Sequence, residues 1–323
     1  ADFYNAGGDS VDLLSLQERE IEWYRGKEFG VIFQEPMTSL NPAFKCGSQI
    51  VERLTRYMGY NKRESKDYTL DLFEDVKLLD PNKIFNSYPH EISGGQQQRV
   101  MIAMAISCNP KILIADEPTT ALDVTVQRSI IDLIKSIVDK NNLSVLFISH
   151  DLNVISDIVD NVMVMYKGRV VEKNNINKIF STPTNAYTKA LIACRPSHSN
   201  PCEYLNTIDD FFSLDAEGNI INKEFGGKRT FNKPSVSSEA LLRIEDLNIS
   251  YKLKSSFFSR EAKYFRALDN VSLSIYKGET LGIVGESGCG KSTLAKAIVK
   301  LIHPTSGNIY FEDKNITRLS NND

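Results

Sequence analysis

The stretch "GESGCGKST", opened by Gly285, sets glycines, a lysine and a hydroxyl at the spacing G-x-x-x-x-G-K-[ST]. That spacing suits a loop whose backbone N–H groups cradle phosphate oxygens. Gly285, Ser287, Gly288, Cys289, Gly290, Lys291, Ser292 and Thr293 are therefore read as a nucleotide-phosphate site. Lys291 would reach the β- and γ-phosphates, and the hydroxyl of Ser292 would ligate Mg²⁺. The context agrees. "TLGIVG" reads as a buried strand entering the loop, and "KSTLAKAIVKLI" as the helix leaving it. A helix N-terminus adds positive partial charge where an anion would lie. An ordinary glycine turn needs neither flank.

A second constellation lies far upstream. In "PKILIADEPTTALD" an apolar strand ends in Asp116 and Glu117. Asp116 can hold Mg²⁺, usually through water, and Glu117 is placed to polarise an attacking water. Taken alone, the pair is equally compatible with a solvated turn or a helix cap. Just before it, in "HEISGGQQQRVMIAMAISCNP", Ser93, Gly94 and Gly95 open a helix whose body from Val100 to Ile106 is wholly apolar and hence buried. This is a second helix terminus fit to face phosphate. A phosphate loop normally precedes its acidic strand, and here it follows, so the order of the elements needs an account.

At 323 residues the chain has room for two domains, at roughly 150 residues each. Hydrophobic residues at 41% and charged residues at 24% are ordinary for a soluble globular protein. The net charge of −3 gives no basic footprint for nucleic acid. "KILIA", "SVLFIS" and "VMVMY" fall far short of the roughly 20 apolar residues that span a bilayer, and read as buried parallel strands. The opening "ADFYNAGGDS" has neither the basic start nor the apolar run of a signal peptide, and it lacks a methionine, so the chain is expected to begin downstream of its gene's start. Five scattered cysteines point to a reducing compartment. Cys194 and Cys202, with His198 between them, match no common zinc spacing, which favours free thiols in a loop over a metal site.

Three regions separate by pattern. Residues 1–194 alternate β-branched runs with helical periodicity, as an α/β domain does. Residues 195–240 are rich in Pro, Gly, Asn and Ser and read as a connector, with a short helix expected at "TIDDFF". Residues 241–323 start afresh with "LLRIEDLNISYKL". The closing "NIYFEDKNITRLS" echoes the opening "ADFYNAGGDSVDLLSL", which suggests two incomplete copies of one domain.

These residues resemble the ATP-binding cassette (ABC) ATPases over nearly everything except the connector. "ISGGQ", with Ile92 where leucine is commoner, is similar to the family signature and assigns Ser93, Gly94, Gly95 and Gln96 to nucleotide contact. "ALD", ending at Asp123, matches the loop after the acidic strand, and "LFISHD" matches the switch histidine at His150. Gln34 in "VIFQEP" matches the glutamine that senses Mg²⁺ and the channel, and Tyr251 lies where the family stacks a ring on adenine. The resemblance implies a P-loop cassette with a mainly parallel core sheet, a helical signature subdomain and an antiparallel β part. It implies ATP and Mg²⁺ as cofactors, Glu117, His150 and Gln34 as catalytic residues, and Ser292, Asp116 and Gln34 around the metal. In the family, two cassettes close head to tail, each ATP lying between the phosphate loop of one and the "SGGQ" helix of the other.

The subfamily is legible too. "FQEPMTSLNPAF" at 33–44 and "NAYTKALIACRP" at 185–196 are similar to ATPases of dipeptide, oligopeptide and nickel importers, some of which fuse two cassettes. The chain resembles the middle of such a fusion, and this accounts for the late phosphate loop. The implied partners are membrane-channel subunits met by the loop after Gln34, a second cassette and, indirectly, a solute-binding protein. No nucleic acid is implied. The implied location is peripheral, on the cytoplasmic face of the inner (plasma) membrane. A soluble ABC ATPase of translation or DNA maintenance is the alternative, disfavoured by "EPMTSLNP" and the lack of basic excess. A non-hydrolysing regulatory binder fits the intact Glu117 poorly. For the isolated chain a single permuted cassette is expected, "TLGIVG" filling a gap beside "KILIAD" and "SVLFIS" and Lys291 facing Asp116, Glu117 and His150. The competing arrangement keeps the head-to-tail pairing.

Overall fold

The computed structural model describes residues 2–4, 10–35, 39–120, 122–156, 158–194, 207, 211–214, 220–222, 239–252, 264–285 and 288–317. Two compact units divide the chain, Ala1–Gly227 and Lys228–Asp323.

The first unit opens with an antiparallel hairpin of β1 (Asp2–Tyr4) and β2 (Ser10–Asp12). Helix α1 (Glu18–Lys27), closed at its start by a capping box between Gln17 and Glu20, leads into β3 (Phe29–Ile32). A helical portion follows: α2 (Cys46–Arg53), α3 (Lys62–Asp75), α4 (Pro81–Asn86) and α5 (Gly94–Ile106). Then come β4 (Ile112–Asp116), α6 (Val124–Asn141), β5 (Ser144–Ile148) and α7 (Leu152–Ser156). The unit continues through β6 (Asn161–Tyr166), β7 (Arg169–Asn175), α8 (Ile176–Ser181) and α9 (Ala186–Ala193). It ends with the hairpin of β8 (Phe212–Leu214) and β9 (Ile220–Asn222).

Strands β3, β4 and β5 form a parallel sheet in that order, with Phe29 opposite Ile112 and Ile112 opposite Ser144. Ile32, Leu113 and Ala115 pack into one core with Val100, Met101 and Ile102 of α5 and Ile130, Leu133 and Ile134 of α6. Each such aliphatic side chain contributes about 1.5–3 kcal/mol when fully buried. The apolar body expected for 100–106 is thus buried, Met104 being half-exposed.

Two strand expectations need correction. β5 is parallel, but Leu146 and Ile148 are exposed, because among the described residues only β4 pairs with it. "VMVMY" is no parallel strand. It pairs antiparallel with β7 through the Lys167-Gly168 turn, both residues at positive φ, and Met163 and Met165 are exposed. A two-residue turn of that kind dictates a hairpin. Since valine and methionine are both apolar, the alternation of buried and exposed positions was invisible in the composition.

The connector is partly built into the first unit. Phe212 is buried edge-on against Tyr166 and Tyr187, with ring centroids 5.7 and 6.0 Å away. Where a helix was expected, Phe212 begins a strand, and residues 208–210 of that stretch lie outside the described residues.

Among its described residues, the second unit is a four-stranded antiparallel sheet with one helix. β10 (Ala240–Lys252) lies between β11 (Tyr264–Tyr276) and β12 (Ser306–Phe311), and β13 (Lys314–Asn315) pairs with β12. Leu294 and Ala297 of α10 (Lys291–Ile298) pack on Leu242, Ile244, Leu247 and Ile309. The β12–β13 pair and the β1–β2 pair, at the two echoing ends of the sequence, are both antiparallel. "TLGIVG" departs from expectation. Residues 279–285 belong to no strand, and Val284 is 93% exposed. An apolar parallel strand gains its stability from neighbours on both sides, and this unit's own sheet is antiparallel throughout.

Candidate functional site

In the first unit the site grows from the C-terminal ends of three parallel strands. β4 ends at Asp116, and Glu117 follows at φ 44, its N–H donating to Ile148 O at 3.0 Å. Gln34 lies two residues beyond β3 and His150 two beyond β5, so the sheet carries both to the same edge. Gln34 Nε2 and Thr120 Oγ1 donate to Glu117 Oε2 at 2.9 and 2.8 Å, and His150 Nδ1 lies 2.9 Å from Oε1. The hydrogen bond from His150 first, and then that from Thr120, hold the Glu117 carboxyl below the usual carboxylate range, while partial burial opposes them. A cleft of about 280 Å³ opens here, lined by Glu117, Thr120, Gln127, Ser149 and His150 among others. A well-held, ionised carboxylate at the mouth of a cleft is equipped to accept a proton from water.

The "SGGQ" residues form the start of α5. Ser93 is the N-cap: its Oγ accepts from Gln96 N at 3.3 Å while Gln96 Oε1 accepts from Ser93 N at 3.0 Å. A Cβ on Gly95 would come within 3.2 Å of Val126 Cγ1, so glycine lets α5 lie close to α6, whereas Gly94 faces open space. Asp123 caps α6 by accepting from Val126 N at 2.9 Å.

In the second unit Gly290 is the N-cap of α10 at φ 102, where a Cβ would stand 2.6 Å from Ala267 O. Gly288, at φ 82, also needs the left-handed region, which glycine enters without steric cost. Lys291, Ser292 and Thr293 form the first turn of α10, so their backbone N–H groups are helix-terminal. Lys291 Nζ donates to Gly285 O at 2.6 Å and lies 3.5 Å from Cys289 Sγ. Tyr251 lies near the end of β10 opposite Phe265, with its ring exposed. Ser287 lies outside the described residues, as do His198 and Cys202. Among the described residues, no group of three or more His, Cys, Asp and Glu side chains converges on a point.

Sequence reasoning placed Gln34, Glu117 and His150 together, and the structure does so. It missed Thr120, whose only signal was a hydroxyl three residues after the glutamate. It also missed Gln98, whose buried amide Nε2 donates to Pro118 O at 2.5 Å.

A family model described as "ABC transporter" matches residues 5–120 and 268–323. The glutathione import ATP-binding protein GsiA of Salmonella typhimurium (strain LT2) is 38% identical over 319 residues, covering 96% of this chain and 49% of that protein. GsiA of Escherichia coli (strain K12) is 38% identical over 315 residues, again 96% of this chain and 49% of that protein. The chain thus spans about half the length of the curated relatives it matches. Among solved structures, the dimeric cassette MJ0796 in a post-hydrolysis state with ADP and Pi is 27% identical, with a TM-score of 0.47, covering 54% of this chain and 73% of that one.

Proposed function

This chain belongs to the ABC transporter family, and from that premise we propose that it binds and hydrolyses ATP to power import of small peptides through separate membrane-channel subunits. The observation that carries the reading is the Glu117 carboxylate, gripped by Gln34, Thr120 and His150 from three segments of the chain. Held ionised, it serves as the base that takes a proton from water as the water attacks the γ-phosphate. His150 and Gln34 keep it aimed. In the second unit, taken by itself, Lys291 and the N–H groups opening α10 serve a nucleotide of that unit's own, gripping its phosphates, with Tyr251 against its adenine. The Asp116 carboxylate and the Gln34 amide oxygen in the first unit, and the Ser292 hydroxyl in the second, are each hard oxygen donors of the kind that suits Mg²⁺, every unit taken by itself. When bound, Mg²⁺ neutralises charge on the phosphate oxygens.

The relatives named for glutathione import support a peptide-class cargo, and nickel is the competing cargo that the resemblance of 33–44 and 185–196 allows. No helix among the described residues is long and apolar enough to cross a membrane. We assign the ATPase to the cytoplasmic face of the membrane, touching the channel through residues 35–42 and acting with a second cassette, while a solute-binding protein delivers cargo to the channel. The test is reconstitution of the full-length protein with its channel in liposomes. ATP-dependent uptake of glutathione or dipeptides, with little for Ni²⁺, is expected. Substitutions in 35–42 should lower channel-stimulated hydrolysis more than basal hydrolysis. Hydrolysis indifferent to the channel, or equal loss of both activities, would reject the transport reading.

A further inference from the structure

The three successive glutamines of α5 have three different tasks. Gln96 completes the capping box with Ser93, and Gln97 Nε2 donates to the carbonyls of Pro89 and Ile92 at 2.8 and 3.3 Å. Gln98, 1% exposed, reaches out of its helix to the Pro118 carbonyl at 2.5 Å. That carbonyl belongs to the residue after Glu117, inside a turn that is unusual twice over. Glu117 has φ 44, a region that residues with side chains seldom enter, and a proline follows it. The turn is closed on one side by Glu117 N to Ile148 O at 3.0 Å and by Thr120 N to Glu117 O at 3.1 Å. Gln98 holds it from the helix side.

We propose that Gln98 is a positioning residue for hydrolysis: its amide fixes the Pro118 carbonyl and thereby the left-handed turn that presents the Glu117 carboxylate to Gln34, Thr120 and His150. The inference rests on reading Glu117 as the base. It has a mechanical corollary. Ser93 and Gln98 share the first two turns of one helix, so a displacement of the "SGGQ" terminus is passed to the base through one buried hydrogen bond. A side chain there that fills the same volume without donating would leave the carbonyl unpaired and the turn loose.

The test uses the full-length protein carrying Gln98→Met, with Thr69→Val as a control that removes another buried hydrogen bond, Thr69 Oγ1 to Ser65 O at 2.6 Å, remote from the site. Expected for Gln98→Met is a fall in kcat of about tenfold or more with KM for ATP little changed. Thr69→Val should lower thermal stability and move neither quantity. Should Gln98→Met not fold, Gln98→Glu carries the test. Its neutral carboxyl can donate to Pro118, so its turnover relative to wild type should fall as pH rises and that carboxyl ionises. A folded Gln98→Met with wild-type kcat, or with kcat and KM for ATP shifted together, overturns the proposal, as does a Gln98→Glu variant whose relative turnover is flat with pH. Wild-type protein without hydrolysis would instead reject the ATPase reading itself.

Discussion

His150 Nδ1 stands 2.9 Å from Glu117 Oε1, joining the loops that follow two adjacent parallel strands. The imidazole is largely exposed, at 73%, while the carboxylate is only 22% exposed, so the partner that can move with solvent is the histidine. Glu117→Gln keeps the side-chain volume and removes the base. Turnover should fall about 10²-fold or more, with nucleotide affinity retained. Single-site turnover and equilibrium binding of a fluorescent ATP analogue measure the two effects separately. Turnover near wild type would remove Glu117 from the chemistry.

Thr120 supplies a test with a definite sign. Hydrogen bonds to the ionised carboxyl lower its pKa below the ordinary 4.5. Their contribution to stability is present above the unfolded pKa and is lost as pH falls through the folded one. Thr120→Val removes one such bond, so the Glu117 titration should move up and the acid limb of the hydrolysis profile should move with it. ¹³C NMR of the carboxyl and kcat against pH should agree. A downward move would contradict the hydrogen-bond geometry.

Lys291→Ala removes the ammonium that now rests on Gly285 O. ATP affinity should drop about tenfold or more through loss of a charge facing the phosphates. Thermal stability should barely change, because that contact is exposed. Isothermal titration calorimetry decides. Unaltered affinity would count against the loop as a phosphate site.

Phe212 tests the connector. It is buried against Tyr166 and Tyr187, and Ala186 and Ala190 complete the cluster. Phe212→Ala should cost about 3 kcal/mol of local stability. Hydrogen exchange should accelerate in β8, β9 and α9 and leave the parallel sheet protected. No change in α9 would mean that the hairpin does not depend on this anchor.

What the sequence revealed and what it hid follow a physical line. The glycine loop, "SGGQ" and Asp116-Glu117 were legible because each needs specific residue types at fixed offsets along one segment. Positive φ at Gly288 and Gly290, and the hydroxyl cap at Ser93, are local requirements of that kind. Strand pairing is not local. "TLGIVG" and "KILIA" look alike as strings, yet the second becomes a strand with β3 and β5 beside it, while residues 280–285 belong to no strand. The contacts of Thr120 and Gln98 were hidden for the same reason, since a buried amide meeting a carbonyl 20 residues away is decided by packing, not spacing.

The left-handed backbone at Glu117 has a consequence for how this position drifts. A glutamate there is held at about 1–3 kcal/mol of conformational strain, which asparagine bears more easily and glycine hardly at all. Exchange for either would abolish the base while relaxing the chain. The strained backbone and the three hydrogen bonds of the carboxylate thus act on stability in opposite directions at this one position. An inactive descendant of this domain would gain a relaxed turn and forfeit those bonds, so its durability follows the balance of the two, while hydrolysis is lost whichever wins.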